Sequence, residues 1–199
     1  MIAINDLAVI KDGQTICAVS RLVVAPGDHL GVRGSNGAGK TTLIRVIAGL
    51  ESDFNGRCDV NVPRCDRVLV HQTPYLFRGT VLDNAVYGLR ARGVGRQRCR
   101  DVAMNWLEKL GIAELALRRI DHLSGGERRR TALVRALVLE PRLLLLDEPF
   151  AEMDADGAAR VIATLEALSD TTIIATSPTG FPPGVTQREF HIEQASVVP

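Results

Sequence analysis

Long apolar runs, lysine and net charge are all scarce in this chain of 199 residues. The run Leu143–Leu146 falls far short of the roughly 18–20 apolar residues needed to span a bilayer, so no membrane-crossing segment is expected. Met1–Asp6 has no basic stretch leading into an apolar one, which excludes a secretory signal from expectation. Only four cysteines occur, Cys17, Cys58, Cys65 and Cys99, without metal-ligand spacing or an accompanying histidine pair. Free thiols in a reducing compartment are expected. Net charge is +1, from 24 Lys+Arg against 23 Asp+Glu, so no general electrostatic grip on nucleic acid or anionic lipid is expected. The basic residues are 21 arginines and three lysines, Lys11, Lys40 and Lys109. Against these absences stand 46% hydrophobic and 24% charged residues, the balance of a folded chain of one-domain length.

The periodicity along the chain changes twice. Ile2–Val9 alternates as a strand with a turn at Asp12-Gly13; Arg21–Val24 and His29–Arg33 read as two more. From Thr41 the spacing of Leu43, Ile44, Ile47 and Ala48 predicts a helix closed by Gly49. Arg67–His71 is a buried-type strand, and from about Val81 to Leu139 helical spacing dominates. Leu143–Asp147 reads as a parallel strand covered on both faces, followed by a helix over Ala159–Leu168 and a β-branched strand over Thr171–Thr176. The order predicts an α/β core interrupted by a helical subdomain, with no internal repeat, low-complexity linker or coiled-coil insert.

Gly34-Ser35-Asn36-Gly37-Ala38-Gly39-Lys40-Thr41 matches G-x-x-x-x-G-K-S/T at every required position, between a predicted strand and a predicted helix. The glycines permit backbone turns that aim successive N–H groups at phosphate oxygens, and the helix start adds its positive end. Lys40 can then reach β- and γ-phosphates, with the Thr41 hydroxyl a Mg²⁺ ligand and Thr42 counted among the cofactor-binding residues. Leu143–Leu146 delivers Asp147 to a sheet's C-terminal edge as a second Mg²⁺ ligand, and Glu148 beside it can orient or deprotonate an attacking water. In Leu123-Ser124-Gly125-Gly126-Glu127, Ser124 is a natural N-cap with Glu127 as its capping-box partner. The two glycines at that helix start also make a second anion site.

This ordered set resembles the nucleotide-binding subunit of an ATP-binding cassette (ABC) transporter: Walker A at Gly34–Thr41, a Q-loop at Gln72, the signature at Leu123–Glu127, Walker B at Leu143–Asp147, Glu148, and a D-loop aspartate at Asp154. The resemblance implies an α/β fold: a P-loop NTPase (RecA-like) core at 1–77 and 140–199 with an N-terminal antiparallel β subdomain and an inserted helical signature subdomain at 78–139. It implies ATP and Mg²⁺ as cofactors, Gln72 sensing Mg²⁺ and γ-phosphate, Asp154 as a cofactor-binding residue, and a homodimer or heterodimer in which Ser124, Gly125 and Gly126 meet the nucleotide of the other protomer. It further implies an integral membrane permease as partner, a solute-binding protein beside it, and a place on the cytoplasmic face of the membrane. The short connection Arg118–His122 into the signature and the absence of fused membrane helices look more importer-like than exporter-like, and the stretch from Leu76 through Leu89 resembles oxyanion-type importers. A permease contact at Tyr75, Leu76 and Phe77 and plain core packing are the two readings of that segment. Rival functions are a soluble ABC ATPase acting on DNA or ribosomes, and a regulatory subunit with impaired hydrolysis.

Two family positions depart from the pattern. Ser177 stands where the switch histidine is expected, and serine carries no imidazole. Lys11 or Ile10 stands where an adenine-stacking aromatic is expected. Slow hydrolysis as a homodimer, or work beside a partner with an intact histidine, follows as an expectation. The arginines Arg90, Arg92, Arg96, Arg98 and Arg100 are expected to form a solvated face, with contact to lipid headgroups or a membrane partner the alternative, and the run Arg128–Arg130 is equally open to a reading as surface charges.

Overall fold

A computed structural model describes residues 1–193. The chain divides into two compact units, one of Met1–Leu69, Arg142–Glu148 and the described residues from Ser169 on, the other of Val70–Pro141 and Pro149–Leu168.

The first unit holds two sheets. Strands β1 (Ile2–Lys11), β2 (Gln14–Val24) and β4 (Asn55–Val60) form an antiparallel sheet in the order β2-β1-β4. Strands β3 (His29–Arg33), β5 (Arg67–Val70), β6 (Leu143–Asp147), β7 (Thr172–Ser177) and β8 (Arg188–His191) form a sheet in the order β5-β6-β7-β3-β8. Pairings of β3 with β7 and β8, and of β6 with β7, are parallel. All five residues of β6 are buried, as an apolar strand covered on both faces must be. Helix α1 (Lys40–Ala48) places Leu43, Ile44, Val46 and Ile47 in one cluster with Ile2, Ile4, Val9, Val24, Leu30, Val32, Leu143 and Leu145. Burial of apolar area on this scale is the main term holding both sheets to the helix. Gly49 ends α1 in the left-handed conformation (φ 79°), its N–H bonding back to the last turn.

The second unit is helical. Helices α2 (Val81–Ala91), α3 (Arg96–Lys109) and α4 (Gly125–Leu137) pack together, and Ala85, Val86, Leu89, Ala103, Leu107, Leu133 and Val134 are among their buried residues. Helix α5 (Ala155–Glu166) belongs with them. Thr80 and Asp83 close a reciprocal capping box at the start of α2, and these bonds hold the Asp83 carboxyl below its ordinary range. No helix among the described residues is long and apolar enough to cross a membrane.

Several elements differ from their sequence-based ranges. The N-terminal strand continues to Lys11, and the second begins at Gln14 rather than Arg21, because β2 is an edge strand whose polar side chains alternate toward solvent. Strands β4 and β8 carry too few apolar residues to announce themselves. Helix α5 starts four residues before Ala159, where Asp154 caps it. The helical unit takes in the segment from Val70 and the stretch Pro149–Leu168, where the sequence reading placed only 78–139. Leu76 packs with Ile120 and Ala132, and Gly157 lies against Arg130, which draws both stretches into that unit. The last six positions of the range 140–199 lie outside the described residues.

Candidate functional site

The loop between β3 and α1 turns on Gly37 (φ 83°) and Gly39 (φ 92°), conformations that glycine adopts without penalty. Space is equally restrictive. A Cβ on Gly39 would collide with the carbonyl of Ile16 and lie 2.8 Å from Cys17 Cβ, and one on Gly34 would lie 2.5 Å from the carbonyl of Ile192. Ser35, Asn36 and Gly37 face solvent, while Ala38 and Lys40 are buried. The Lys40 ammonium, 5% exposed, donates to the carbonyls of Gly34 (2.8 Å) and Ser35 (3.0 Å), curling back over the loop. No side chain caps the N-terminus of α1, and its first turn carries no acid, which leaves that end fitted to an anion. Thr42 follows at a half-buried position in the same turn.

Asp147 is the last residue of β6 and is buried. Thr41 Oγ1 donates to its Oδ2 (2.8 Å) and Thr176 Oγ1 to its Oδ1 (2.6 Å). The same Thr176 oxygen accepts from the N–H of Glu148 (3.1 Å). Glu148 has φ 48°, a conformation costing about 1 kcal/mol or more for a residue with a side chain. The bond to Thr176 helps to hold it. Thr176 was not singled out by the sequence; only its place in a β-branched strand signalled a buried position. Ser177 ends β7 and is 8% exposed. Its hydroxyl donates to the carbonyl of Gly180 (2.6 Å) and accepts from the N–H groups of Thr179 (3.3 Å) and Gly180 (3.1 Å). It is engaged in its own turn. Lys11 pairs with Glu51 (2.6 Å), and that hydrogen bond leads in lowering the Glu51 carboxyl; Ile10 is exposed.

The helical unit carries the other predicted residues. Ser124 Oγ accepts from the N–H of Glu127 (3.2 Å) and Glu127 Oε2 from that of Ser124 (2.7 Å), the reciprocal box expected there. Gly125 and Gly126 open α4, and Asp154 caps α5 by accepting from the N–H of Gly157 (2.8 Å). Gln72 is exposed, in the segment after β5. The structure thus groups Gly34–Thr42, Asp147, Glu148 and Ser177 in the first unit, and Gln72, Ser124–Gly126 and Asp154 in the second.

The arginine run after the signature is not a row of surface charges. Arg129 and Arg130 are each 8% exposed. Arg130 donates to the carbonyl of Leu110 (3.3 Å), and Arg128 to that of Ile120 (3.0 Å). Backbone carbonyls of distant segments accept from these guanidiniums, and no local pattern announces such partners. The Tyr75–Phe77 segment divides between its two readings. Leu76 is buried in the core, while Tyr75, Phe77 and Tyr87 are exposed, with Phe77 and Tyr87 stacked at 4.3 Å. Arg96, Arg98 and Arg100 are exposed as expected.

A glycine cradle under a helix start, a buried lysine curled over it and a strand-end aspartate bonded to the next threonine define a P-loop nucleotide-binding protein. The family model for ABC transporters matches residues 19–151, and the chain belongs to that family. It is 37% identical over 160 residues to the tungstate uptake system ATP-binding protein TupC of Peptoclostridium acidaminophilum, covering 78% of this chain and 75% of that one. It is 40% identical over 156 residues to the Fe(3+) ions import ATP-binding protein FbpC of Rhizobium etli, covering 74% of this chain and 44% of that protein. Among solved structures, cbiO1 of Clostridium perfringens, part of an ABC transporter complex, superposes with TM-score 0.82 at 25% identity over 97% of this chain and 84% of its own. A bacterial ABC transporter cassette solved as a dimer shares the fold with TM-score 0.85 at 21% identity, over 98% and 95% of the two chains. The chain is an ABC transporter ATP-binding subunit, an ATPase with importer-type relatives.

Proposed function

We propose that this subunit couples ATP-driven closure of a dimer to solute import through a separate integral membrane permease, lying peripherally on the cytoplasmic face and supplied by a solute-binding protein. The importer relatives support the direction, and the exposed Tyr75, Phe77 and Tyr87 offer a surface for the permease. The observation that carries the catalytic part is the Thr41–Asp147 hydrogen bond beside the buried Lys40 ammonium. Thr41 and Asp147 offer two hard oxygens of the kind Mg²⁺ takes, at the end of β6. They would hold the ion, which neutralises phosphate charge when bound. Lys40 and the Gly34–Thr42 amides and hydroxyls grip the phosphates, and Glu148 orients and deprotonates the attacking water. Ser124, Gly125, Gly126 and Asp154 receive the nucleotide held by the other protomer. Neither nucleic acid nor a ribosome is part of the reading.

Light scattering with ATP and Mg²⁺ tests it. Glu148→Gln is expected to accumulate a dimer and Lys40→Ala to stay monomeric; a Glu148→Gln protein that stays monomeric at saturating ATP refutes the dimer. Co-purification of a polytopic membrane protein tests the permease. A second reading, slow hydrolysis in a regulatory role, is favoured by the Ser177 hydroxyl being engaged in its own turn.

A further inference from the structure

Arg129 lies in the first turns of α4 with its side chain 9% exposed. Its Nε donates to the backbone carbonyl of Gln72 (3.2 Å) and its Nη1 to Glu152 Oε2 (2.8 Å). One buried guanidinium thereby ties the segment after β5, the signature helix and the loop before α5 together. Glu152 is its ion-pair partner among the described residues. The Glu152 side chain is 69% exposed, yet its Oε2 occupies the space that a Cβ on Gly125 would need. The carbonyl of Glu152 lies 3.1 Å from where a Cβ on Gly126 would be. Both glycines of the signature are therefore covered from one side by a single acidic residue. Glu152 reaches this position with φ 58°, a left-handed conformation that persists in a residue with a side chain only where its surroundings hold it. Arg129 supplies that hold.

We infer that Arg129 and Glu152 form a latch, parking a carboxylate on the signature turn, which must open before the nucleotide of a partner subunit can reach Ser124, Gly125 and Gly126. The inference rests on the dimer reading under Proposed function. A helix start with free amides draws anions, and a carboxylate against the same turn weakens that draw and repels an arriving triphosphate. The carboxylate does not leave freely, because its departure strips a buried guanidinium of its counter-charge. Arg129 acts only through Glu152 and is a positioning residue. The consequence is a raised ATP requirement for closure, set by the Arg129–Glu152 pair.

The test uses the full chain in a Glu148→Gln background, with ATP and Mg²⁺ titrated and molecular mass read by light scattering. Adding Glu152→Gln, which keeps the shape and removes the charge, is expected to lower the ATP concentration for half-dimerisation about threefold or more, the scale of a surface charge pair. Glu152→Ala shifts it the same way, and both lower the melting temperature, because the buried Arg129 guanidinium loses its counter-charge. A destabilised fold does not produce easier closure, so the direction separates a latch from a packing role. A midpoint that is unchanged or raised while the parent dimerises overturns the latch and leaves the dimer standing. A parent that fails to dimerise at any ATP concentration overturns both.

Discussion

The hydroxyl of Thr41 donates to Asp147 Oδ2 across 2.8 Å, joining the first turn of α1 to the end of β6. Two residues 106 positions apart in sequence thus present adjacent oxygens at one edge of the sheet. Asp147→Asn removes the negative charge of that pair without emptying the space. Mg²⁺-dependent ATP hydrolysis is expected to fall by at least about hundredfold, the scale of several kcal/mol of charge stabilisation that a bound cation supplies. Binding of a fluorescent ATP analogue in EDTA is expected to survive. Steady-state turnover and fluorescence titration, each with and without Mg²⁺, check it. Hydrolysis within about tenfold of the parent removes Asp147 from the metal site.

Thr176 is the less obvious member of the same group. It is fully buried, donates to Asp147 Oδ1 at 2.6 Å and accepts from the N–H of Glu148 at 3.1 Å. Thr176→Val keeps the shape and deletes both bonds, leaving a buried carboxylate oxygen without its donor. A stability loss of about 1–3 kcal/mol in urea unfolding is expected. Turnover drops with it, because Asp147 and Glu148 each lose a positioning bond. Thr176→Ser restores both measures. A Thr176→Val protein that keeps the parent's stability and turnover contradicts this role.

Gly39 separates conformational strain from collision. Its φ of 92° disfavours any side chain, and a Cβ there would run into Ile16 and Cys17. Gly13 has φ 76° with nothing within 4 Å of its would-be Cβ. Gly39→Ala is expected to abolish nucleotide binding, whereas Gly13→Ala costs only about 1 kcal/mol of strain and leaves binding intact. Isothermal titration with ATP and thermal melts of the two variants make the comparison. Equal effects at both positions contradict a sterically closed cradle.

The phosphate cradle, Asp147, Glu148 and the Ser124–Glu127 box were legible because each is local: glycine spacing, an apolar strand end and a capping pair declare themselves within eight residues or fewer. Helices α1 and α4 and strand β6 were legible for the same reason. Strand β4 was not, since Asn55–Val60 is recognisable only through its backbone pairing with β1. Nor was the burial of Arg129, whose partners Gln72 and Glu152 stand 57 and 23 positions away. The role of Thr176 is likewise defined by a strand neighbour, with Asp147 its partner in the β6–β7 register. What the sequence hides here is pairing between distant segments.

Cys17 reports on the cradle from beneath. It is fully buried in β2, and burial pushes its thiol up to about 11 from an ordinary 9.0. The reactive thiolate is correspondingly scarce in the folded chain near pH 8 and grows only as the pH approaches that raised value. Iodoacetamide at pH 8 is expected to label Cys17 at least about hundredfold more slowly in the native chain than in urea, from the two-unit shift alone. The exposed Cys65 labels first. Because Cys17 lies directly under Gly39, Gly39→Ala is expected to open Cys17 to labelling. Peptide mass spectrometry over a time course reads both sites. Native Cys17 labelling as fast as Cys65 contradicts its enclosure.

The proposed slow hydrolysis turns on Ser177. Its hydroxyl holds the turn to Gly180 through three hydrogen bonds, the shortest at 2.6 Å, so it is committed before nucleotide arrives. A histidine there would add an imidazole that can polarise or relay a proton near the γ-phosphate. Ser177→His is expected to raise steady-state ATP turnover about tenfold or more, within the range of general acid–base effects. Ser177→Ala removes only the turn bonds: a stability loss of about 1–2 kcal/mol is expected with turnover changed less than about twofold. The alanine variant therefore separates loosening of the turn from gain of the imidazole. A wild type that already turns over quickly, with nothing added by histidine, rules out slow hydrolysis and leaves the regulatory reading without support.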